Sequence, residues 1–417
     1  MKQFENTIQV LKGERRVAEA LEFLERDDAT TLQEQITITE IAAPPFQEEN
    51  RAHYMLERLK ELGLSNVTED SEGNVYGTRK GIGKGPALFV CAHIDSVFSI
   101  ETDVSVSEKN GVYYGAGICD DARGLAALLT LVRALNEVPI DTIGDIIFGA
   151  TVGEEGPGDL RGVKAFFEEH PKEIDGFISI DFASPSAIVY KGTGSNRFRV
   201  TFEGPGGHSY NAFGTPSAVH AASRASVKFA DMDVCTKPKT TFNVGVIEGG
   251  TIPTAIAEKC IMQIDIRSNG QSELTSMANT VYDYVEKACH EENERWGYTK
   301  ENGIGYKVEK TGDRPVGDQE DDSVIVEVAT LATRALGLTP TLEEASSTDA
   351  NHPISLGIPS LTLGGGGEAG KYHTLQEWYK PVKSYLGPQR ILLTMLGLVG
   401  TNSTKPLLTD VKKSTKV

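Results

Sequence analysis

The chain has 417 residues, too many for one ordinary core, and its 39% hydrophobic and 24% charged residues exclude wholesale disorder. A formal net charge of −18 argues against a phosphate backbone as partner, because nucleic-acid binding needs clustered positive charge to displace counterions. No apolar stretch is long enough to span a bilayer, the first residues carry mixed charge, and Cys91, Cys119, Cys235, Cys260 and Cys289 form no close pair; a cytoplasmic protein without membrane partners is expected.

Two helical patterns open the sequence, and the second, Gln47 to Leu62, places Met55, Leu56, Leu59 and Leu62 between charges as an amphipathic surface helix would. After Gly81 come short apolar runs, Ala87 to Ala92, Ile146 to Val152, Phe177 to Ile180 and, much later, Ser360 to Leu363, which read as strands buried on both faces. Helical stretches Leu125 to Leu135, Val163 to Glu169 and Ser323 to Leu336 lie between them, so the fold class is α/β, a mostly parallel sheet flanked by helices.

From Phe198 to Lys310 the rhythm changes. A strand (Phe198 to Phe202) and a helix (Pro216 to Phe229) precede two strands (Thr241 to Glu248, Lys259 to Ile266), a long helix (Ser272 to Trp296) and a last strand (Gly305 to Glu309). That βαββαβ order is ferredoxin-like and can close its own small core. The expected division is a catalytic domain at 1–195 and 312–417, interrupted by an inserted domain at 196–311. The Lys412 to Val417 tail is expected to fray.

Each buried run ends in or leads to a group that can bind a metal: His93-Ile94-Asp95, Gly153-Glu154-Glu155-Gly156, Asp181, and a glycine run followed by His373. In an open α/β sheet the carboxyl ends of the strands line the ligand crevice, so these groups should converge there. His93 and Asp95 are two apart in extended chain and can work together, one on a metal and one behind it. Asp120 and Asp121 sit in the glycine-flanked segment Gly115 to Asp121, where one aspartate can bridge two cations with its two oxygens. Imidazole and carboxylate without thiolate suit zinc, cobalt or manganese, and two ions about 3.5 to 4 Å apart can activate water against a carbonyl. Of the adjacent Glu154 and Glu155, one can ligate while the other reaches the water, and the residues alone leave the order open.

These motifs resemble the co-catalytic metallopeptidase family that includes peptidase T, carboxypeptidase G, acetylornithine deacetylase and the aminoacylases, from Ile41-Ala42-Ala43-Pro44-Pro45-Phe46 to His373-Thr374. The resemblance implies a zinc-peptidase-like catalytic domain with two divalent metal ions per chain, zinc first among the candidates. It implies His93 and Asp181 on one ion, Glu155 and His373 on the other, Asp120 between them, Glu154 as general base and Asp95 behind His93. A cis peptide between Asp120 and Asp121 is implied as well. The inserted domain becomes a lid and dimerisation domain, with His208 of Gly204-Pro205-Gly206-Gly207-His208-Ser209 stabilising the oxyanion in the partner's site of a homodimer. Arg267 of Asp265-Ile266-Arg267 would hold a substrate carboxylate, with Asn243 in the same substrate shell.

Two departures from the family bear on substrate rather than metal: Ala122 stands where a lysine often follows the paired acids, and Ser346-Ser347 stands where peptidase T has a glycine pair. Thr348-Asp349-Ala350-Asn351 and an aspartate at 181 tilt the expectation toward a peptidase T-like enzyme acting on small peptides, with an N-acyl amino acid amidohydrolase or deacetylase as the alternative. Taken singly, Asp121 reads as a helix cap, the paired glutamates as solvated surface and His93 as an interior histidine. Gly364 to Gly367 has no following Gly-Lys-Ser/Thr and reads as backbone passing close to substrate rather than a phosphate loop.

Overall fold

The computed structural model describes residues 2–408 and divides into two compact units, one formed by Met1–Gly192 with Gly317–Val417 and the other by Thr193–Val316. The predicted fraying tail lies outside the described residues. The divisions fall slightly outside the 196–311 limits because the first strand of the second unit starts at Gly194 and its last runs on to Arg314.

In the first unit, an eight-stranded sheet has a parallel centre in which Asp145–Thr151, Ala87–His93, Gly176–Ile180 and Ser360–Leu363 lie side by side in that order. Antiparallel strands flank it, Val75–Arg79 then Ser65–Glu69 on one side and Ala187–Val189 on the other. The continuous apolar runs follow from burial on both faces: Leu88, Val90 and Ala92 enter one core cluster while Phe89 and Cys91 enter another with Phe166, Phe167 and Phe177. Burying each such side chain contributes roughly 1.5–3 kcal/mol. The helix Ala122–Glu137 is buried almost throughout and shares the larger cluster with the equally apolar Leu386–Val399.

The first helical pattern resolves into three helices, Lys2–Gly13, Arg15–Arg26 and Asp28–Thr39, before Glu49–Glu61. Extended backbone at Glu14 makes the first break, and Asp27 the second, its carboxylate taken by Arg133 and Thr130. Hydrophobic periodicity does not register a break one residue long. A small sheet, in which Glu368–Gly370, Trp378–Lys380, Val112–Tyr114 and Ser107–Lys109 pair in that order, was not legible either, since its strands are three residues each.

The second unit has one four-stranded antiparallel sheet in the order Thr240–Gly249, Lys259–Ser268, Gly194–Glu203, Gly305–Arg314. With the helices Ala218–Ala230 and Gln271–Trp296 this is the βαββαβ arrangement expected. Along Lys259–Ser268 the residues Cys260, Met262, Ile264 and Ile266 are buried among Ala221, Ala225 and Val281 of the two helices. The alternate residues, Asp265 and Arg267 among them, belong to the opposite, polar face.

Candidate active site

Parallel register aligns the strand ends of the first unit. His93 lies opposite Thr151, Cys91 opposite Ser179, and Leu363 opposite Ile180, so the residues that follow each strand leave the same edge of the sheet. There His93, Asp120 and Asp181 bring one donor atom each within 4.8 Å of one another, as do Asp120, Glu155 and His373. Asp120 belongs to both groups. Its Oδ1 lies 3.0 Å from His93 Nε2 and its Oδ2 3.0 Å from His373 Nε2, whose other neighbour is Glu155 Oε1 at 2.9 Å.

These separations suit divalent metal. Two ligand atoms each about 2.0–2.2 Å from one tetrahedral ion stand a little over 3 Å apart, and the donor set is imidazole and carboxylate throughout. Burial by itself would lower the His93 pKa, yet the bond to Asp120 and the charges of Asp121, Asp120 and Asp95 carry it well above the ordinary value. His373 is pushed up to about 10 by its bonds to Asp120 and Glu155. Burial and the neighbouring Asp120 push Asp181 up to about 7, whereas the two histidines overcome burial and hold Asp120 below the usual carboxylate range. This much mutual perturbation among four groups marks a site built around charge that side chains alone do not balance.

Around the donors the backbone is fixed by buried carboxylates. Asp95, fully buried, accepts the N–H groups of both Glu154 (2.9 Å) and Glu155 (2.7 Å). Its carboxylate thus orders the paired glutamates, while the atom nearest His93 Nδ1 is the Asp95 carbonyl oxygen at 3.0 Å, with the carboxylate at 3.7 Å. The carbonyl can accept only from Nδ1–H, which leaves Nε2 as the ligating nitrogen. Asp121 is the cap its position suggested, accepting Gly124 N–H at 3.0 Å, and it also accepts His93 N–H at 3.0 Å. The Asp120–Asp121 peptide is cis.

Gly153, just before Glu154, has φ +66° and a Cβ there would come within 2.6 Å of Arg161 Cγ, so only glycine fits. The run Gly364 to Gly367 is buried and passes against backbone: a Cβ on Gly364 would meet Ser184 O at 2.2 Å and one on Gly366 would meet Ser384 O at 1.9 Å. Close main-chain packing accounts for Gly364 and Gly366, and the Arg123 and Tyr379 side chains crowd Gly365 and Gly367.

The second unit's predicted residues are exposed. His208 lies in a two-residue strand, Gly207–His208, paired with Ala255–Ile256, rather than in a loop. Its Nδ1 accepts N–H groups from Tyr210 (3.2 Å) and Asn211 (3.4 Å), so the neutral ring carries its proton on Nε2. Asn243, Asp265 and Arg197 form a cross-strand row, and Arg267, two residues along from Asp265, donates Nε–H to it at 2.8 Å.

One buried group escaped the sequence reading. Glu377, four residues after His373, accepts main-chain N–H groups of Gly117, Cys119 and Asp120. A glutamate embedded before the aromatic pair Trp378-Tyr379 was the available signal.

Comparison with known proteins agrees with this architecture. The sequence model described as peptidase family M20/M25/M40 matches residues 89–396. Among solved structures, a tripeptidase of Staphylococcus aureus superposes with a TM-score of 0.71 at 24% identity, covering 88% of this chain and 97% of the other. The aminopeptidase PepT of Bacillus cereus gives 0.70 at 22%, covering 93% and 99%. An N-formyl-4-amino-5-aminomethyl-2-methylpyrimidine deformylase of Bacillus subtilis is 27% identical over 283 residues, 59% of this chain and 64% of the relative, so the match spans less than two thirds of that protein.

Proposed function

The chain belongs to the peptidase family M20/M25/M40 and is a hydrolytic enzyme, and from that premise we propose that it is a dinuclear metal-dependent peptidase of peptidase T type, acting on small peptides. The observation that carries the reading is the Asp120 carboxylate, one oxygen 3.0 Å from His93 and the other 3.0 Å from His373. His93 and Asp181 would hold one ion, Glu155 and His373 the other, with Asp120 shared. When bound, two such ions polarise the scissile carbonyl and lower the pKa of water.

The chain's own groups supply the rest. Glu154, its backbone held by Asp95, takes a proton from the attacking water on its carboxylate and returns it to the leaving amine nitrogen. His208, with a proton on Nε2, suits donation to the oxyanion, and because it is exposed on the inserted unit we assign it to the site of a partner subunit in a homodimer. Arg267, steadied by Asp265, would take the substrate carboxylate, with Asn243 beside it on the same sheet face. Among the described residues no helix is long and apolar enough to cross a membrane.

An N-acyl amino acid amidohydrolase is the second reading, favoured by the deformylase relative. The metal-reconstituted enzyme offered matched di- and tripeptides, free or N-acylated, separates the two. Cleavage of the free-amine set supports the peptidase, and cleavage confined to the acylated set overturns it.

A further inference from the structure

Glu377 is wholly buried, and a carboxylate removed from water is costly unless its oxygens are bonded. The bonds of its carboxylate and of its carbonyl all run to one loop. Oε1 accepts Cys119 N–H at 2.8 Å and Asp120 N–H at 3.1 Å, and Oε2 accepts Gly117 N–H at 3.3 Å; the Glu377 carbonyl accepts Gly115 N–H at 3.2 Å. Four main-chain donors of the segment ending in Asp120 therefore point at one residue. That residue is tied in turn to the His373 segment, because its own N–H donates to Thr374 O at 3.0 Å. From the other side of His373, Tyr372 accepts Ala183 N–H at 3.3 Å with its hydroxyl and lies 3.7 Å from Cys119 Sγ.

A carboxylate shared between two histidines works only in a narrow orientation, since displacement by a fraction of an ångström favours one side over the other. Asp120 and His373 are 253 residues apart in sequence, so local chain stiffness cannot set their separation. We propose that Glu377 is a positioning residue that clamps the Asp120 loop onto the His373 segment and so fixes the shared carboxylate for both ions. The inference rests on the ligand assignment made above. Two acceptor oxygens are what the clamp needs: glutamine has one and would turn an NH2 group toward N–H donors.

The test measures Zn²⁺ affinity and stoichiometry by competition with a chelating dye, and the melting temperature of the metal-free protein, for wild type, Glu377→Gln, Glu377→Asp and Asp120→Asn. Groups that orient ligands typically cost about 10- to 100-fold in metal affinity when changed. Glu377→Gln should therefore bind at least one Zn²⁺ roughly 10- to 100-fold more weakly while its metal-free melting temperature stays near wild type. Glu377→Asp, which keeps both acceptor oxygens on a shorter stem, should fall between them, and it decides the matter if the glutamine variant does not fold. Unchanged affinity in the folded variants overturns the proposal, as does unfolding of both metal-free proteins, which would make Glu377 purely structural. Wild type that binds no Zn²⁺, or Asp120→Asn that binds as tightly as wild type, would instead defeat the ligand assignment itself.

Discussion

The carboxyl edge of the large sheet and the exposed strands of the inserted unit both carry predicted site residues, but in different physical states. At the first, His93 is 2% exposed, Glu154 5% and Glu155 8%, and neighbouring donors stand about 3 Å apart. At the second, His208, Asn243 and Arg267 are all exposed, and their partners lie within the same unit. Most of the first set is held at the ends of buried strands, with His373 alone of the proposed ligands exposed, whereas all three of the second set are exposed, His208 on its own two-residue strand and Asn243 and Arg267 on the four-stranded sheet. A small ion suffices to interrogate the first region; the second can be interrogated only by substrate or by a partner chain.

Metal removal gives the largest expected effect and sharpens that contrast. All five proposed ligands lie in the first unit, so a chelated sample should fall to background turnover, recover with added divalent metal, and keep the inserted unit's protection from amide exchange throughout. Full turnover in a sample verified as metal-free would refute the ligand set. Next in size is Glu154→Gln, which should keep both ions and lose roughly 10²- to 10⁴-fold in kcat, the range for a general base. Glu155→Gln should instead lose metal. If the glutamine at 155 retains both ions and the one at 154 loses one, the two roles are exchanged.

The contrast also explains what could be read in advance. A run such as Leu88 to Ala92 is apolar at every position because both faces are covered, and a polar residue at its end has only one edge to occupy, so the placement of His93 and Asp181 at that edge was legible from sequence. The strands of the inserted unit were legible for the opposite reason, through alternation along Lys259–Ser268. What sequence hides is bonding to main chain. Glu377 and the Asp95 carboxylate act on backbone N–H groups, which every residue possesses, so no side-chain pattern announces them. The same blindness covers Gly364 and Gly366, whose nearest neighbours are carbonyl groups of distant segments. In the adjacent glutamates, residue type was legible and role was not, because both have carboxylates and both backbones are held by Asp95.

A smaller effect tests whether the exposed region serves the buried one across a dimer. His208→Ala should lose on the order of 10²- to 10³-fold in kcat, as for loss of an oxyanion donor. When His208→Ala and Glu154→Gln chains are co-expressed, a mixed dimer has one site with its own Glu154 and the partner's intact His208. Random pairing makes half of the dimers mixed with one good site of two, so about a quarter of wild-type activity should return. If His208 serves its own chain, every site lacks one group, and the sample stays inactive even with mixed dimers confirmed by mass.

The smallest predicted effect concerns Arg267, the residue proposed to take the substrate carboxylate. Its Nε is engaged by Asp265 at 2.8 Å, and Arg197 approaches the same carboxylate at 3.3 Å, so Asp265 fixes the guanidinium plane and a substrate carboxylate would be met by the terminal nitrogens. A hydrogen bond to a charged group contributes about 1.5–3 kcal/mol, which converts to roughly 10- to 100-fold in kcat/KM. Arg267→Ala should impose that loss on peptides with a free C-terminus and far less on their C-terminal amides, since the amide brings no charge to leave unpaired. Arg267→Lys should recover only part of it, because an ammonium is a point charge without the planar fork. Equal losses on acids and amides would show that Arg267 supports the sheet through Asp265 instead. In that case Asp265→Asn should reproduce the Arg267→Ala profile, whereas under the recognition reading it should loosen the guanidinium and reduce the preference for free acids without abolishing it.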